Sequence, residues 1–150
     1  MNHMYEELND AVVTLVSDFM NLEKMALLSS EFSDISMNDV HIIDAVGVEE
    51  SRNMSNIAHR LSVTVGSLTT AMNGLVRKGY VQRERSEVDR RVVYIRLTDK
   101  GQVVYERHNQ YHMKLMQSMT AQMSEDEVRA MIVCLHQAGQ ILNGLKEAGR

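Results

Sequence analysis

Residues 64–97 change hydrophobic period partway through, and no other stretch limits the fold so tightly. In the first half, Val65, Leu68, Met72, Leu75 and Val76 recur at helical spacing and leave the opposite face to small polar groups. Thr64 is placed to cap that helix at its N-terminus. Gly79 follows Arg77 and Lys78, two cations that suit the negative end of a helix dipole. Two β-branched runs come next, residues 80–85 and 92–97, joined by a polar turn over residues 86–91. The pattern predicts a helix followed by a basic hairpin.

Thr64, Ser67, Thr69, Thr70 and Asn73 give the exposed side of this helix short hydroxyl and amide groups, with Gly66 between them. Such groups are suited to base edges in a major groove, and Arg77 to a phosphate. The hairpin carries Arg83, Arg85, Arg90 and Arg91, a tip sized for the neighbouring minor groove, where a narrow groove concentrates negative potential. Either piece alone also fits an ordinary amphipathic helix or a solvated charged turn. Their adjacency points to DNA.

Net charge is −4 over 150 residues, so the distribution of charge has to decide whether a nucleic acid is a plausible partner. Residues 1–50 hold 11 acidic and 1 basic side chains, residues 51–100 hold 4 and 10, and residues 101–150 hold 5 of each. Only the middle third is basic. That segregation fits one surface turned to phosphates with acidic groups kept away from it. No run approaches the 18 or so apolar residues of a membrane span, and Glu6, Glu7 and Asp10 stand where a secretory signal is basic. A cytoplasmic protein is expected, and the single cysteine, Cys134, agrees with a reducing compartment.

In chain order, Leu8, Val12, Leu15, Val16, Phe19, Leu22 and Met25 predict one long helix over residues 5–28, a face that suits packing on a second subunit and also fits an ordinary core helix. A polar connector containing Phe32 follows. Ser36 and Asp39 then form a capping box for a helix that stops at Gly47. Residues 48–53 read as a charged loop, and Asn53 or Ser55 caps a short helix with Ile57, Ala58 and Leu61 inward. Ser62 and Val63 make the turn into the helix described first. Short helix, tight turn, second helix and hairpin form a winged helix-turn-helix. Thr98 and Asp99 open another long helix reaching Met123, and Ser124 to Glu127 is a capping box for a last apolar helix. With no proline anywhere, long helices are uninterrupted.

This order of elements resembles the MarR family of winged helix-turn-helix repressors across essentially the whole chain. The most specific local match is Asp89-Arg90-Arg91 followed by Val92 to Leu97 and Thr98-Asp99-Lys100-Gly101, which is similar to that family's wing signature. The resemblance implies a mainly α fold with a small β-hairpin wing, in an intertwined helical homodimer that binds an inverted-repeat DNA operator. It implies one domain, with residues 1–34 and 100–150 mainly dimerising and residues 36–98 forming the DNA-binding lobe. In the family the second wing arginine enters a minor groove while the aspartate orients it, roles that fall here on Arg91 and Asp89.

Asp34-Ile35-Ser36, His41, Ile43-Asp44, Thr69-Thr70, Arg77-Lys78-Gly79-Tyr80 and Arg85-Ser86-Glu87 resemble, nearly in register, the family's branch that represses fatty-acid synthesis genes. That branch responds to long acyl chains carried on acyl carrier protein as corepressor. An acyl ligand needs an adaptable apolar pocket, and the 12 methionines are a supply of flexible side chains, although a methionine stripe is also ordinary core. Phe19, Leu22, Met25, Phe32, Met37, His41, His108 and Met116 are the candidate lining. No resident cofactor or metal is expected.

Zinc control is the rival reading. His108 and His112 lie one helical turn apart, and Glu106 and His41 complete a possible ligand set, although histidines satisfied by hydrogen bonds near the hinge fit the same residues better. Cys134 is expected to lie buried on the last helix, which argues against thiol sensing. No nucleophile elbow, phosphate loop, His-Glu-x-x-His or dinucleotide fingerprint occurs, so no enzyme is expected. A dimeric module binding protein partners through its wing is the alternative of a different class.

Overall fold

The computed structural model describes residues 2–27, 32–49, 52–87, 89 and 92–148. Helix α1 (Asn2–Leu27) is followed by α2 (Met37–Val46), the short strand β1 (Arg52–Asn53), α3 (Met54–Arg60), α4 (Val65–Arg77), β2 (Val81–Arg85), β3 (Val93–Leu97), α5 (Asp99–Thr120) and α6 (Glu125–Ala148). The predicted mainly α fold with a hairpin wing is what the chain adopts. Two compact units divide it, Met1–Tyr111 and His112–Arg150, and the division falls inside α5.

Helices α2, α3 and α4 each start where a side chain takes over an orphan backbone donor. Ser36 accepts from the Asp39 N–H while the Asp39 carboxylate accepts from the Ser36 N–H, completing the box. Asn53 caps α3 through the Asn56 N–H, and Thr64 caps α4 through the Ser67 N–H. The ends of α3 and α4 share one device. Val63 N–H bonds to the Ala58 carbonyl and Ser62 N–H to that of His59. Tyr80 and Gly79 repeat this on Leu75 and Val76. The motif needs a left-handed residue. Gly79 takes φ +78° without steric cost, whereas Ser62 takes φ +56° with a Cβ to accommodate.

The sheet has the order β1-β3-β2, all antiparallel, with Val81 opposite Leu97, Arg83 opposite Ile95 and Arg85 opposite Val93. β1 was expected to be loop. Arg52 and Asn53 pair instead with Ile95 and Tyr94, and Arg52 Nη1 donates to the Val46 carbonyl at 2.6 Å and the Ala45 carbonyl at 3.3 Å, satisfying the open end of α2. A core of Val40, Ile43, Val46, Ile57, Leu68, Met72, Leu75, Tyr80 and Ile95, all buried, holds α2, α3, α4 and the sheet together. Val65, expected inward, is exposed at the first position of α4. Gly101 is where α5 meets the hairpin base: a Cβ there would stand 2.1 Å from the Tyr80 carbonyl oxygen, so only glycine lets the two backbones approach so closely.

The terminal helices are arranged differently. Leu8, Val12, Leu15, Val16 and Leu22 on α1 are between 48% and 57% exposed. In the second unit, Ile132, Val133, Leu135, Ile141, Leu142 and Leu145 of α6 are between 46% and 65% exposed. Cys134 is exposed with them rather than buried as expected, since helical spacing marks an apolar face of α6 without saying what covers it. α5 ends at Thr120, three residues early, and the Ser124–Glu127 box then starts α6, with Ser124 N–H and Oγ both donating to Glu127 Oε2 at 2.8 Å. Those bonds, the backbone one first, hold the Glu127 carboxyl below its ordinary pKa. Among the described residues no helix is long and apolar enough to cross a membrane.

Candidate nucleic-acid interface

Helix α4 buries Leu68, Met72 and Leu75 and turns Thr64, Ser67, Thr69, Thr70 and Arg77 outward, with Asn73 partly exposed. The alternation predicted from sequence therefore places these six polar side chains along one accessible side of one helix. Several of their hydrogen bonds are already committed. The Thr64 and Ser67 hydroxyls lie 2.8 Å apart, and Thr69 Oγ1 donates to the Val65 carbonyl at 2.7 Å. Asn73 Oδ1 accepts from Arg83 Nη2 at 2.5 Å, so α4 and the wing strand are in direct contact.

In the wing, Arg83 and Arg85 are exposed on β2, while Arg96 on β3 is paired with Glu84 at 2.5 Å and so contributes less free positive charge. Asp89 is partly buried in the turn, its N–H donating to Ser86 Oγ at 3.2 Å and its carbonyl accepting from Val92 N–H at 2.9 Å. Arg90 and Arg91, the predicted tip, lie outside the described residues.

The hairpin base is fastened to the segment ahead of α2. Tyr80 is buried, and its hydroxyl donates to Asp34 Oδ1 at 2.6 Å. Lys100 Nζ stands 4.0 Å from the centre of the Tyr80 ring, donates to the Lys78 carbonyl at 3.1 Å and pairs with Asp34 Oδ2 at 3.4 Å. The Tyr80 hydrogen bond, helped by Lys100, holds the Asp34 carboxyl below its ordinary pKa, while burial, and then Asp34, push the Tyr80 hydroxyl well above its own. Both groups stay in the forms that bond each other across neutral pH.

Behind α2, the buried carboxylate of Glu23 on α1 joins two histidines. His108 Nε2 lies 3.0 Å from Glu23 Oε1 and its Nδ1 3.4 Å from Asp44 Oδ1, and His41 Nε2 lies 3.4 Å from Glu23 Oε2. Burial would push the His108 pKa down, but its bonds to Asp44 and Glu23 outweigh that and hold it above the ordinary value. Potential ligand atoms of Glu23, His41 and His108 all lie within 4.8 Å of one another. Of the four candidate ligands, His41 and His108 come together on the Glu23 carboxylate, while Glu106, which is exposed, and His112 are not members of this cluster. Sequence reasoning passed over Glu23 because it sits among apolar neighbours on α1, and its burial depends on histidines 18 and 85 residues away.

The expected acyl-pocket residues do not gather around one described cavity. Phe32 is buried under the Arg107 guanidinium, 4.8 Å from its ring centre, Met37 packs on the core, and His41 and His108 belong to the carboxylate cluster. Phe19 is partly buried, Leu22 and Met25 are exposed on α1, and Met116 is exposed in the second unit. A cavity of about 290 Å³ does lie behind α4, lined by Asn38, His41, Ile42, Leu61, Val63, Ser67, Leu68 and Ala71. It includes only His41 of the predicted lining.

Comparison with known proteins agrees with this geometry. The family profile described as "Transcriptional regulator SarA/Rot" matches residues 24–108. The chain is 26% identical over 115 residues to the HTH-type transcriptional regulator YhjH of Bacillus subtilis, a match covering 77% of this chain and 65% of that protein's length, just under two thirds of it. Among solved structures it is similar to Streptococcus pneumoniae FabT in complex with DNA, with a TM-score of 0.87 and 35% identity over 94% of this chain and 99% of that one. Staphylococcus aureus MarR in complex with salicylate and kanamycin shares the fold, with a TM-score of 0.77 at 22% identity.

Proposed function

The chain belongs to the MarR/SarA family of winged-helix, DNA-binding transcriptional regulators, and from that premise we propose that it is a homodimeric repressor of fatty-acid synthesis genes whose corepressor is long-chain acyl-acyl carrier protein. The observation that carries this reading is the 35% identity to FabT across 94% of the chain, together with the resemblance around Asp34, His41 and Arg85. A regulator that is not an enzyme needs only two head spacings and a ligand that prefers one of them. The Asp34–Tyr80–Lys100 fastening supplies a route, since it ties the segment between α1 and α2 to the hairpin base and the start of α5. A ligand that shifts that segment then shifts the wing, and by reciprocity operator DNA tightens ligand binding.

One observation favours a second reading, zinc as the effector. Glu23, His41 and His108 come from α1, α2 and α5, and the Asp44 carboxylate sits on the far nitrogen of His108, the outer-shell arrangement that orients a ligating imidazole. Two imidazoles and a carboxylate suit a borderline-soft divalent ion, which would join the same three elements when bound.

One titration separates these readings. Affinity for an operator duplex is measured with acylated carrier protein, unacylated carrier protein, zinc, and chelator. Enhancement by the acylated form alone is expected, and enhancement by zinc alone overturns the acyl reading in favour of the metal one. Salt dependence gives the number of phosphates engaged, with a slope of about −0.9 per phosphate neutralised. A flat response points instead to the module that binds proteins.

A further inference from the structure

Strand alternation decides which way Arg83 points. Val81 lies opposite Leu97 and Arg83 opposite Ile95, and Val81, Leu97 and Ile95 are all buried, so the Arg83 side chain leaves β2 on the face that packs against the core. An apolar residue is the ordinary occupant of such a position. Here an arginine runs out along the sheet to the rim and donates from Nη2 to Asn73 Oδ1 at 2.5 Å. A guanidinium has no acceptor and an amide accepts only through oxygen, so the contact also fixes which way round the Asn73 amide lies.

That orientation has a chemical consequence for the reading role assigned above to α4, on which this inference rests. An asparagine recognises adenine by accepting from N6 through its oxygen and donating to N7 through its nitrogen. With Oδ1 engaged by Arg83, the pair offers the Nδ2 hydrogens and the remaining guanidinium N–H groups, and one lone pair beside a full positive charge. Donors then face the adenine amino group. Guanine presents O6 and N7, two acceptors, at the same edge. Thr69, one turn earlier on the same side of α4, has the opposite character, because its hydroxyl hydrogen is spent on the Val65 carbonyl and it turns out lone pairs and a methyl group.

We propose that Asn73 and Arg83 act as a single donor unit that selects guanine at the base step beneath them, which makes Arg83 a specificity-determining residue contributed by the wing strand and not a phosphate contact. The unit is assembled from two elements, so the helix alone does not define the code.

The test is enrichment of random-sequence duplexes by the full chain, wild type against Asn73→Ala, Arg83→Ala and Arg83→Lys, with far-UV circular dichroism to confirm that each variant is folded. The wild type is expected to enrich guanine at one step of each half-site, and Asn73→Ala to flatten the preference there. Arg83→Ala is expected to move that step from guanine toward adenine by about tenfold, as the freed amide oxygen becomes available, with other steps unchanged. Arg83→Lys, which keeps a charged donor, retains guanine. Adenine at that step in the wild type overturns the proposal, as does an Arg83→Ala protein that loses affinity equally for all sequences. A wild type that enriches no sequence overturns the reading role of α4 itself, a different failure from either of these.

Discussion

The DNA-binding head and the terminal helices satisfy themselves to different degrees. In the head, α2, α3, α4 and the sheet bury Ile43, Ile57, Met72, Leu75 and Ile95 completely, and each of the three helices begins at a side-chain cap. On α1 and α6 the largest aliphatic side chains stand about half exposed in long stripes. Soluble proteins do not leave contiguous apolar faces of this length in water without a partner. A head that is complete within one chain and ends that are not is the arrangement expected if assembly, and not folding of the head, is what fixes the distance between two reading helices. Regulation then has a natural point of action, the fastening at Asp34, Tyr80 and Lys100 that ties the segment ahead of α2 to the hairpin base and the start of α5.

The sharpest way to break this comparison is to charge the exposed stripes. Leu15→Arg combined with Leu142→Arg is expected to turn a sedimenting dimer into a monomer. It should also lower operator affinity by two orders of magnitude or more, because two half-sites are no longer held by one linked particle. A dimer that survives both charges refutes the proposed role of α1 and α6. The head variant Leu75→Ala tests the other side. Leu75 is fully buried in the core, so truncation is expected to cost about 2–5 kcal/mol in urea denaturation while sedimentation still reports a dimer at the same protein concentration. If the two variants change the same observable, the two regions are not energetically separate.

The sequence made the helical framework readable because its signals are local. Ser36, Asn53, Thr64 and Ser124 each cap the helix that begins beside them, and the stops at Gly47 and Gly79 need only their own backbone angles. What escaped notice depends on partners distant in the chain. β1 is two residues long and exists only because Ile95 and Tyr94 lie alongside, and a strand that short carries no alternation to detect. Glu23 is another such case, as is the Arg83–Asn73 contact, where period two in β2 and the helix α4 were both visible but the pairing between them was not. Cys134 and Val65 failed for a related reason: helical spacing identifies an apolar face without saying whether this chain or another covers it.

The smallest expected effect tests whether the head's stability is as local as its signals. The turns ending α3 and α4 use the same pair of backbone hydrogen bonds, yet one has glycine at its left-handed position and the other has Ser62 at φ +56°. A left-handed L-residue costs roughly 1–2 kcal/mol, and glycine gives back roughly 0.5–1 kcal/mol through the extra freedom of the unfolded chain. Ser62→Gly should therefore raise stability by at most about 1.5 kcal/mol, seen as a higher urea midpoint with an unchanged slope. Because the turn lies between α3 and α4 and carries no residue of either exposed stripe, the monomer–dimer equilibrium should stay where it is. A lower midpoint would mean that the Ser62 side chain contributes a contact worth more than the strain it brings. A shift in self-association would mean that the angle between α3 and α4 is felt at the terminal helices, and the separation between the two regions would have to be given up.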